Sequence, residues 1–183
     1  MRFRWTIATL AAAALAWTTI HSEMPWLGNA EAQVTPHAGA ACPADAKAAQ
    51  LNYSLKNVSN QSVRLDAYKG KVILLDFWAT WCGPCKVEIP WFIEFQQKYG
   101  KDGLQVLGVS VDDTLAKLTP YVAEMKMTYP VLQGLGQDGM LDAYGPMLAL
   151  PTTVLISRQG LICQKHVGMG SKEGFENAIR ALL

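Results

Sequence analysis

Residues 72–90 read VILLDFWATWCGPCKVEIP, and they are the most informative part of the sequence about the fold. It opens with a nearly continuous apolar run, VILLDFW, which is typical of a β-strand buried on both faces. Two cysteines three residues apart, Cys82 and Cys85, follow where a helix is expected to begin. Such a pair is compatible with a redox centre, a metal site, a haem attachment or a structural disulfide, so the surrounding residues must decide.

The position of the pair favours redox chemistry. A helix N-terminus has unpaired backbone N–H groups and a partial positive charge. In such motifs the thiol pKa falls from about 8.5 to as low as about 3.5–7.5. One helical turn between the cysteines also suits a disulfide. We therefore expect Cys82 to be the exposed nucleophile and Cys85 to be the partly buried resolving cysteine.

The other three interpretations fit the neighbouring residues less well. A c-type haem attachment needs His directly after the second cysteine, where Lys86 stands. A zinc site needs about four ligands, and Cys42, Cys163 and the three scattered histidines form no second paired cluster. A purely structural disulfide does not explain the surrounding Trp81 and Pro84. No metal or cofactor is therefore expected.

Two acidic residues lie close to the pair in sequence. Asp76 interrupts the apolar run, where burial of an ionised carboxylate is costly. Glu88 is three residues after Cys85, on the same face of the expected helix. Either acid could exchange a proton with Cys85. The alternatives are that Asp76 sits at a polar strand edge and that Glu88 is a solvated helix residue.

The remainder of the chain has the pattern of an α/β protein. Apolar runs predict further strands at 104–111, 130–132, 152–156 and 161–167, and an N-terminal hairpin within 52–65. Helices are expected from the cysteines to about residue 99 and at 114–125, 140–144 and 171–182. The 183 residues carry a net charge of +1 without a basic run, which argues against a nucleic-acid partner.

The N-terminus resembles an export signal. Arg2 and Arg4 precede an uncharged stretch at 5–20, and Ala30-Glu31-Ala32 offers a cleavage site. We interpret 1–32 as a signal peptide or an uncleaved N-terminal membrane anchor, 33–50 as a linker, and 51–183 as the folded domain. In both cases the domain is exported, to the periplasm or an equivalent extracytoplasmic compartment.

Three motifs carry a family resemblance: VILLDFWATWCGPCKVEIP, GVSVDD at 108–113 and LPTTVLI at 150–156. Together they resemble the TlpA/ResA-like thiol–disulfide oxidoreductases of the redoxin (AhpC/TSA-related) superfamily, over about residues 50–183. The resemblance implies a thioredoxin-like fold, with a central mixed sheet flanked by helices, an N-terminal hairpin and an inserted element at 114–145.

The resemblance also implies roles for individual residues. Cys82 matches the nucleophilic cysteine and Cys85 the resolving one, and together they match the redox disulfide. Glu88 matches the acid of the group's CxxCxxExP pattern, whereas Asp76 matches the buried aspartate of thioredoxins proper, where this group often has Asn. The expected substrate-binding residues are Trp81, Gly83, Pro84, Leu150 and Pro151. Pro151 matches a cis-proline, and Leu150 departs from the more usual Thr, Val or Ile.

The implied activity is reduction of protein disulfides outside the cytoplasm. Such proteins reduce apocytochrome c before haem attachment, or the cysteines of copper-site proteins, and receive electrons from a membrane thiol transporter. The Gly83-Pro84 dipeptide agrees with a reductant, since thioredoxin has a potential of about −270 mV against about −120 mV for the oxidant DsbA.

Two other functions fit the sequence less well. A peroxiredoxin-like thiol peroxidase would place its cysteine in a T-x-x-C pattern, but Thr80 is out of register with Cys82. A copper- or haem-handling chaperone would need a further ligand, for which His166 is the only histidine candidate in the domain. Cys42 and Cys163 could pair with each other, or Cys163 could be a small buried residue and Cys42 a free thiol.

Overall fold

The structure is a computed structural model that describes residues 42–183. The segment 1–32 interpreted as a leader, and residues 33–41 of the expected linker, lie outside the described residues. Within 42–183, no helix combines the length and the apolar character needed to cross a bilayer.

Between residues 42 and 183, seven strands and four helices follow one another. The strands are β1 (Ser54–Asn57), β2 (Ser62–Arg64), β3 (Val72–Trp78), β4 (Leu104–Ser110), β5 (Val131–Gln133), β6 (Thr152–Ile156) and β7 (Ile162–Val167). The helices are α1 (Gly83–Tyr99), α2 (Leu115–Glu124), α3 (Asp138–Ala143) and α4 (Lys172–Leu182). The elements expected from the sequence are confirmed to within a few residues, and a short 3₁₀ turn, Leu65–Tyr68, was not expected.

The strands form one mixed sheet in the order β2-β1-β5-β4-β3-β6-β7. Strands β3, β4 and β5 are parallel to one another, whereas β6 is antiparallel to β3 and β7 is antiparallel to β6. The N-terminal hairpin of β1 and β2 joins the sheet through β5. This arrangement confirms the predicted α/β class and the thioredoxin-like sheet.

The apolar sequence of the two central strands explains their position. All seven residues of β3 and all seven of β4 are buried, as expected for strands covered on both faces. One face packs against α1, α2 and α4 through a cluster that includes Trp78, Phe92 and Phe175. The other face packs against α3 and the 3₁₀ turn through a cluster that includes Leu65 and Phe77.

The described part of the expected linker is attached to the sheet edge. The backbone N–H of Ala49 donates to the carbonyl of Gly160, and that of Ile162 donates to the carbonyl of Lys47, each at 2.8 Å. A disulfide joins Cys42 to Cys163 at the start of β7. Residues 42–49 therefore cover part of an edge strand that would otherwise present unpaired backbone groups.

Candidate active site

The cysteine pair lies at the N-terminus of α1, shortly after the end of β3. Cys82 is the N-cap residue of α1, with φ −75° and ψ 107°, and its sulfur accepts a hydrogen bond from the backbone N–H of Cys85 at 3.2 Å. The two residues form a disulfide, with their Cα atoms 5.3 Å apart. Pro84 occupies the first turn of the helix, where its missing N–H has no cost. The pair thus lies between a buried strand and a helix, the position that the sequence predicts.

The expectation that Cys82 is exposed is wrong for this disulfide-bonded form. Cys82 is 3% exposed and Cys85 is 1% exposed. The physical reason is the N-cap position, which directs the Cys82 sulfur toward the helix N-terminus rather than toward solvent. The outer surface of the loop is provided instead by the exposed residues Trp81, Gly83 and Pro84.

The second expected landmark is Pro151, which precedes β6. The Leu150–Pro151 peptide bond is cis, as the resemblance implied. The carbonyl of Pro151 accepts a hydrogen bond from the backbone N–H of Gly168 at 2.8 Å, which joins this loop to the end of β7. Leu150 is half-buried and contacts both core clusters.

Asp76 lies in the middle of β3, not at a polar edge. It is 1% exposed and stands between Gly108 of β4 and Thr153 of β6 in the sheet register. Burial raises the pKa of Asp76 well above its ordinary value, the charge of Glu88 raises it further, and Thr153 offsets part of the increase. The neutral, protonated form of Asp76 is therefore favoured more than in an exposed carboxyl group.

Glu88 lies on the buried face of α1, so it is not a solvated helix residue. Its exposure is 0%, and its Oε1 atom accepts a hydrogen bond from the backbone N–H of Gly170 at 2.7 Å. Burial raises the pKa of Glu88, while the Gly170 N–H and His166 offset part of that increase.

The two carboxyl groups can act as one proton-exchanging unit. The charge on Glu88 disfavours ionisation of Asp76, so their titrations are coupled. Asp76 Oδ1 and Glu88 Oε2 have no hydrogen-bond partner among the residues that the structure describes. Asp76 alternates along β3 with Leu74 and Trp78, which lie in the same core cluster as Cys85. Glu88 is buried one turn after Cys85 on α1. A buried carboxyl with a free oxygen can take up or release a proton during thiol chemistry.

His166 does not assemble a metal site with the cysteines. It pairs with Thr153 across β6 and β7, and its ring packs edge-on against Phe175 with 5.5 Å between ring centroids. Across residues 42–183, no group of three or more His, Cys, Asp and Glu side chains is placed to hold a metal ion.

One residue of the site was missed by the sequence interpretation. Asp113 was noted only as part of GVSVDD, yet its carboxylate is buried and accepts hydrogen bonds from the backbone N–H and the hydroxyl of Thr80, two residues before Cys82. The neighbouring Asp112 accepts a hydrogen bond from Trp81 Nε1 at 2.9 Å. The sequence signal that could have identified Asp113 is the position of two acids directly after a buried strand.

This arrangement of a mixed sheet, a disulfide at a helix N-terminus and a cis-proline before β6 defines a thioredoxin-like thiol–disulfide oxidoreductase. The chain belongs to the AhpC/TSA family, whose model matches residues 46–165.

Individual relatives agree with this class. The chain is 33% identical over 133 residues to the thiol-disulfide oxidoreductase ResA of Geobacillus kaustophilus, covering 72% of this chain and 74% of the relative. It is 34% identical over 134 residues to ResA of Oceanobacillus iheyensis, and the match covers 71% of this chain and 68% of the relative. The fold also matches a solved structure assigned as the thiol:disulfide interchange protein DsbE of Chlorobium tepidum, with a TM-score of 0.68 and 31% identity. The match covers 75% of this chain and 97% of that structure.

Proposed function

We propose that this protein is an exported reductant of protein disulfides, and that Cys82 and Cys85 are its redox pair. The observation that carries the proposal is the position of Cys82 as N-cap of α1, where its sulfur already accepts a hydrogen bond from the N–H of Cys85. The same N–H groups stabilise a thiolate in the reduced protein and make it a better nucleophile and leaving group.

The proposed reaction moves two electrons from the cysteine pair to the substrate. The Cys82 thiolate attacks one sulfur of the substrate disulfide and forms a mixed disulfide, and the departing substrate sulfur takes a proton from solvent. Cys85 then loses its proton to the Asp76–Glu88 pair and attacks Cys82. This step breaks the mixed disulfide, forms the Cys82–Cys85 disulfide and releases the reduced substrate.

Exposed apolar side chains stand next to Cys82 and close to Pro151 in the sequence, as suits a polypeptide substrate. Trp81 is 61% exposed beside Cys82, and the segment that leads to Leu150 and Pro151 exposes Leu148. Met169, after the end of β7, is also exposed. These apolar side chains offer contacts for residues that flank a substrate cysteine. We propose Trp81, Gly83, Pro84, Leu150 and Pro151 as the substrate-binding residues.

Export is supported by the leader sequence and by the state of the cysteines. All four cysteines are paired in disulfides, which is expected in an oxidising compartment. A reductant there needs a supply of electrons, for which we propose a membrane thiol transporter. As substrates we propose apocytochrome c or the cysteines of copper-site proteins, in line with the resemblance.

The proposal is tested by trapping. Cys85→Ser removes the resolving thiol, so Cys82 should accumulate mixed disulfides with exported proteins that disappear on reduction. Cys82→Ser/Cys85→Ser is the matched control and should trap none. Equal capture by the two variants would contradict the proposal. In parallel, peroxide consumption by the purified reduced protein, at a rate above its disulfide reductase rate, would favour a thiol peroxidase instead.

A further inference from the structure

The turn that leads to Cys82 is held by a carboxylate from a different loop. Asp113 follows β4 and is 1% exposed. Its Oδ2 atom accepts the backbone N–H of Thr80 at 2.7 Å and the Ser110 hydroxyl at 2.7 Å. Its Oδ1 atom accepts the Thr80 hydroxyl at 2.8 Å and pairs with Lys117 Nζ at 2.7 Å. Four donors therefore converge on one buried carboxylate.

The same contacts keep Asp113 ionised. Burial by itself would raise its pKa, but Lys117 and the donors from Thr80 and Ser110 outweigh burial and hold the pKa below the ordinary value. An ionised carboxylate accepts from all four donors at once, and charge-assisted hydrogen bonds are about twice as strong as neutral ones. Thr80 is consequently held to the loop after β4 by two hydrogen bonds to an ionised carboxylate.

Thr80 occupies a turn that ends at Cys82. The backbone N–H of Cys82 donates to the carbonyl of Ala79 at 3.1 Å, so Thr80 and Trp81 lie inside a tight turn between the residue that follows β3 and the N-cap. The orientation of this turn fixes where the Cys82 sulfur sits relative to the first N–H groups of α1. Thiolate stabilisation at a helix terminus is confined to the first turn, so small shifts of the sulfur reduce it.

We propose that Asp113 is a positioning residue for Cys82, which acts through Thr80 to fix the turn that seats the sulfur at the N-terminus of α1 and so keeps it reactive as a thiolate. This inference rests on the proposed function, in which Cys82 is the nucleophile. It assigns a role in the redox site to a residue more than twenty positions away in sequence.

The adjacent acid supplies a matched control. Asp112 is on the same loop, but it bonds the exposed indole of Trp81 at 2.9 and 3.2 Å and makes no hydrogen bond to Thr80. Asp112→Asn changes the charge near the site by the same amount as Asp113→Asn. It leaves the four donors of Asp113 in place.

The test is the rate of iodoacetamide alkylation of Cys82 in the reduced full-length protein between pH 5 and 10, measured on the Cys82 peptide by mass spectrometry. Asp113→Ala should slow alkylation at pH 6 about tenfold, the effect of raising the thiol pKa by one unit, and the difference should vanish once all thiol is ionised. Asp113→Asn retains an acceptor for the Thr80 N–H and should stay within about threefold of wild type, as should Asp112→Asn.

A control is needed to show that loss of stability alone does not shift the pH profile of Cys82 alkylation. Leu65→Ala removes a fully buried side chain from the opposite face of the sheet, so it should lower the melting temperature without moving the pH profile of Cys82. A wild-type profile for Asp113→Ala would overturn the positioning role, and so would an equal shift in Leu65→Ala.

A second variant covers the case in which Asp113→Ala does not fold. Thr80→Val combined with Ser110→Ala removes two of the four donors, and it should move the pH profile in the same direction by a smaller amount. An unmoved profile would again overturn the proposal. If wild-type Cys82 is alkylated no faster than Cys85, the proposed function itself fails, and the positioning role fails with it. A reactive wild-type Cys82 with unshifted variants would contradict only the positioning role.

Discussion

Glu88 and Gly170 are joined by a 2.7 Å hydrogen bond from the backbone N–H of Gly170 to Oε1 of Glu88. The bond ties α1 to the segment between β7 and α4, and so it fixes the carboxyl group one turn after Cys85. The other oxygen, Oε2, has no partner among the described residues. An acid held in one place with one oxygen free is well suited to proton exchange.

Glu88→Gln should therefore slow the resolving step, because the amide still accepts the Gly170 N–H but cannot take up a proton. We expect the turnover rate to fall by roughly 10²-fold, the low end for loss of a general base. In the wild type, deprotonation of Glu88 makes the rate rise with pH, with a midpoint above the ordinary Glu range because its pKa is raised by burial. The variant should lose this rise, as measured by disulfide reduction between pH 4 and 9.

Glu94→Gln is the control for this prediction. Glu94 lies six residues further along α1, is exposed, and pairs with Lys172 at 2.6 Å, so its loss should leave the pH–rate profile unchanged. An identical rate and profile for Glu88→Gln and wild type would argue that Glu88 has no part in proton transfer.

Asp76→Asn should stabilise the oxidised protein at neutral pH. Because burial raises the pKa of Asp76 in the folded state, the folded protein binds this proton more tightly than the unfolded chain does. The wild type should therefore lose stability as the pH rises from the ordinary Asp pKa, about 3.9, to the raised value, whereas the variant should not. The expected gain is on the order of 1–3 kcal/mol, the cost typical of an unsatisfied buried polar group.

Urea unfolding at several pH values checks this prediction. The two proteins should have similar free energies of unfolding below pH 4 and should diverge above it. Parallel curves across the whole range would mean that Asp76 titrates normally, and that Glu88 alone is the proton partner of Cys85.

The Cys42–Cys163 disulfide should contribute to stability and not to turnover. It closes a loop between residues 121 positions apart and attaches residues 42–49 to β7. Cys42→Ser/Cys163→Ser should lower the free energy of unfolding by about 2–5 kcal/mol. The rate of disulfide reduction by Cys82 and Cys85 should be unchanged, because Cys163 is at the opposite end of β7 from Val167, which pairs with Thr152 beside Pro151. A large loss of reductase activity in the folded variant would contradict this separation.

Leu150→Thr should alter substrate recognition while leaving the chemistry of the cysteines intact. Leu150 precedes the cis-proline and is half-buried between the two core clusters. Replacing it should change kcat/KM for a folded protein disulfide on the order of tenfold, as expected when a pocket loses one apolar contact. The reduction potential and the rate with a small disulfide such as oxidised glutathione should stay unchanged, and a shift in both would mean that Leu150 acts on the redox pair.

Local sequence patterns predicted most of the fold. The uninterrupted apolar runs of β3 and β4 predicted two central buried strands, and the cysteines at the end of the first run predicted the start of α1. Asp76 and Glu88 were found because an acid is conspicuous in an apolar run or one turn from a cysteine.

The missed features depend on tertiary contacts that no local pattern reveals. The burial of Cys82 depends on the direction in which an N-cap sulfur points. The role of Asp113 depends on β3 and β4 being parallel neighbours, which brings the residues after each strand together at one end of the sheet. The Cys42–Cys163 pairing was not missed but was left open as one alternative, because residues 121 positions apart meet at the start of β7 only in the folded sheet.

The reduction potential of the Cys82–Cys85 pair decides whether this protein is a reductant or an oxidant of protein disulfides. It should be measured at pH 7 by equilibration with dithiothreitol or glutathione redox buffers, with the state of each cysteine read by mass spectrometry so that the Cys42–Cys163 disulfide is scored separately. A reductant of protein disulfides requires a value below about −220 mV. A value near −120 mV, that of a strong disulfide-forming oxidant, would contradict the account.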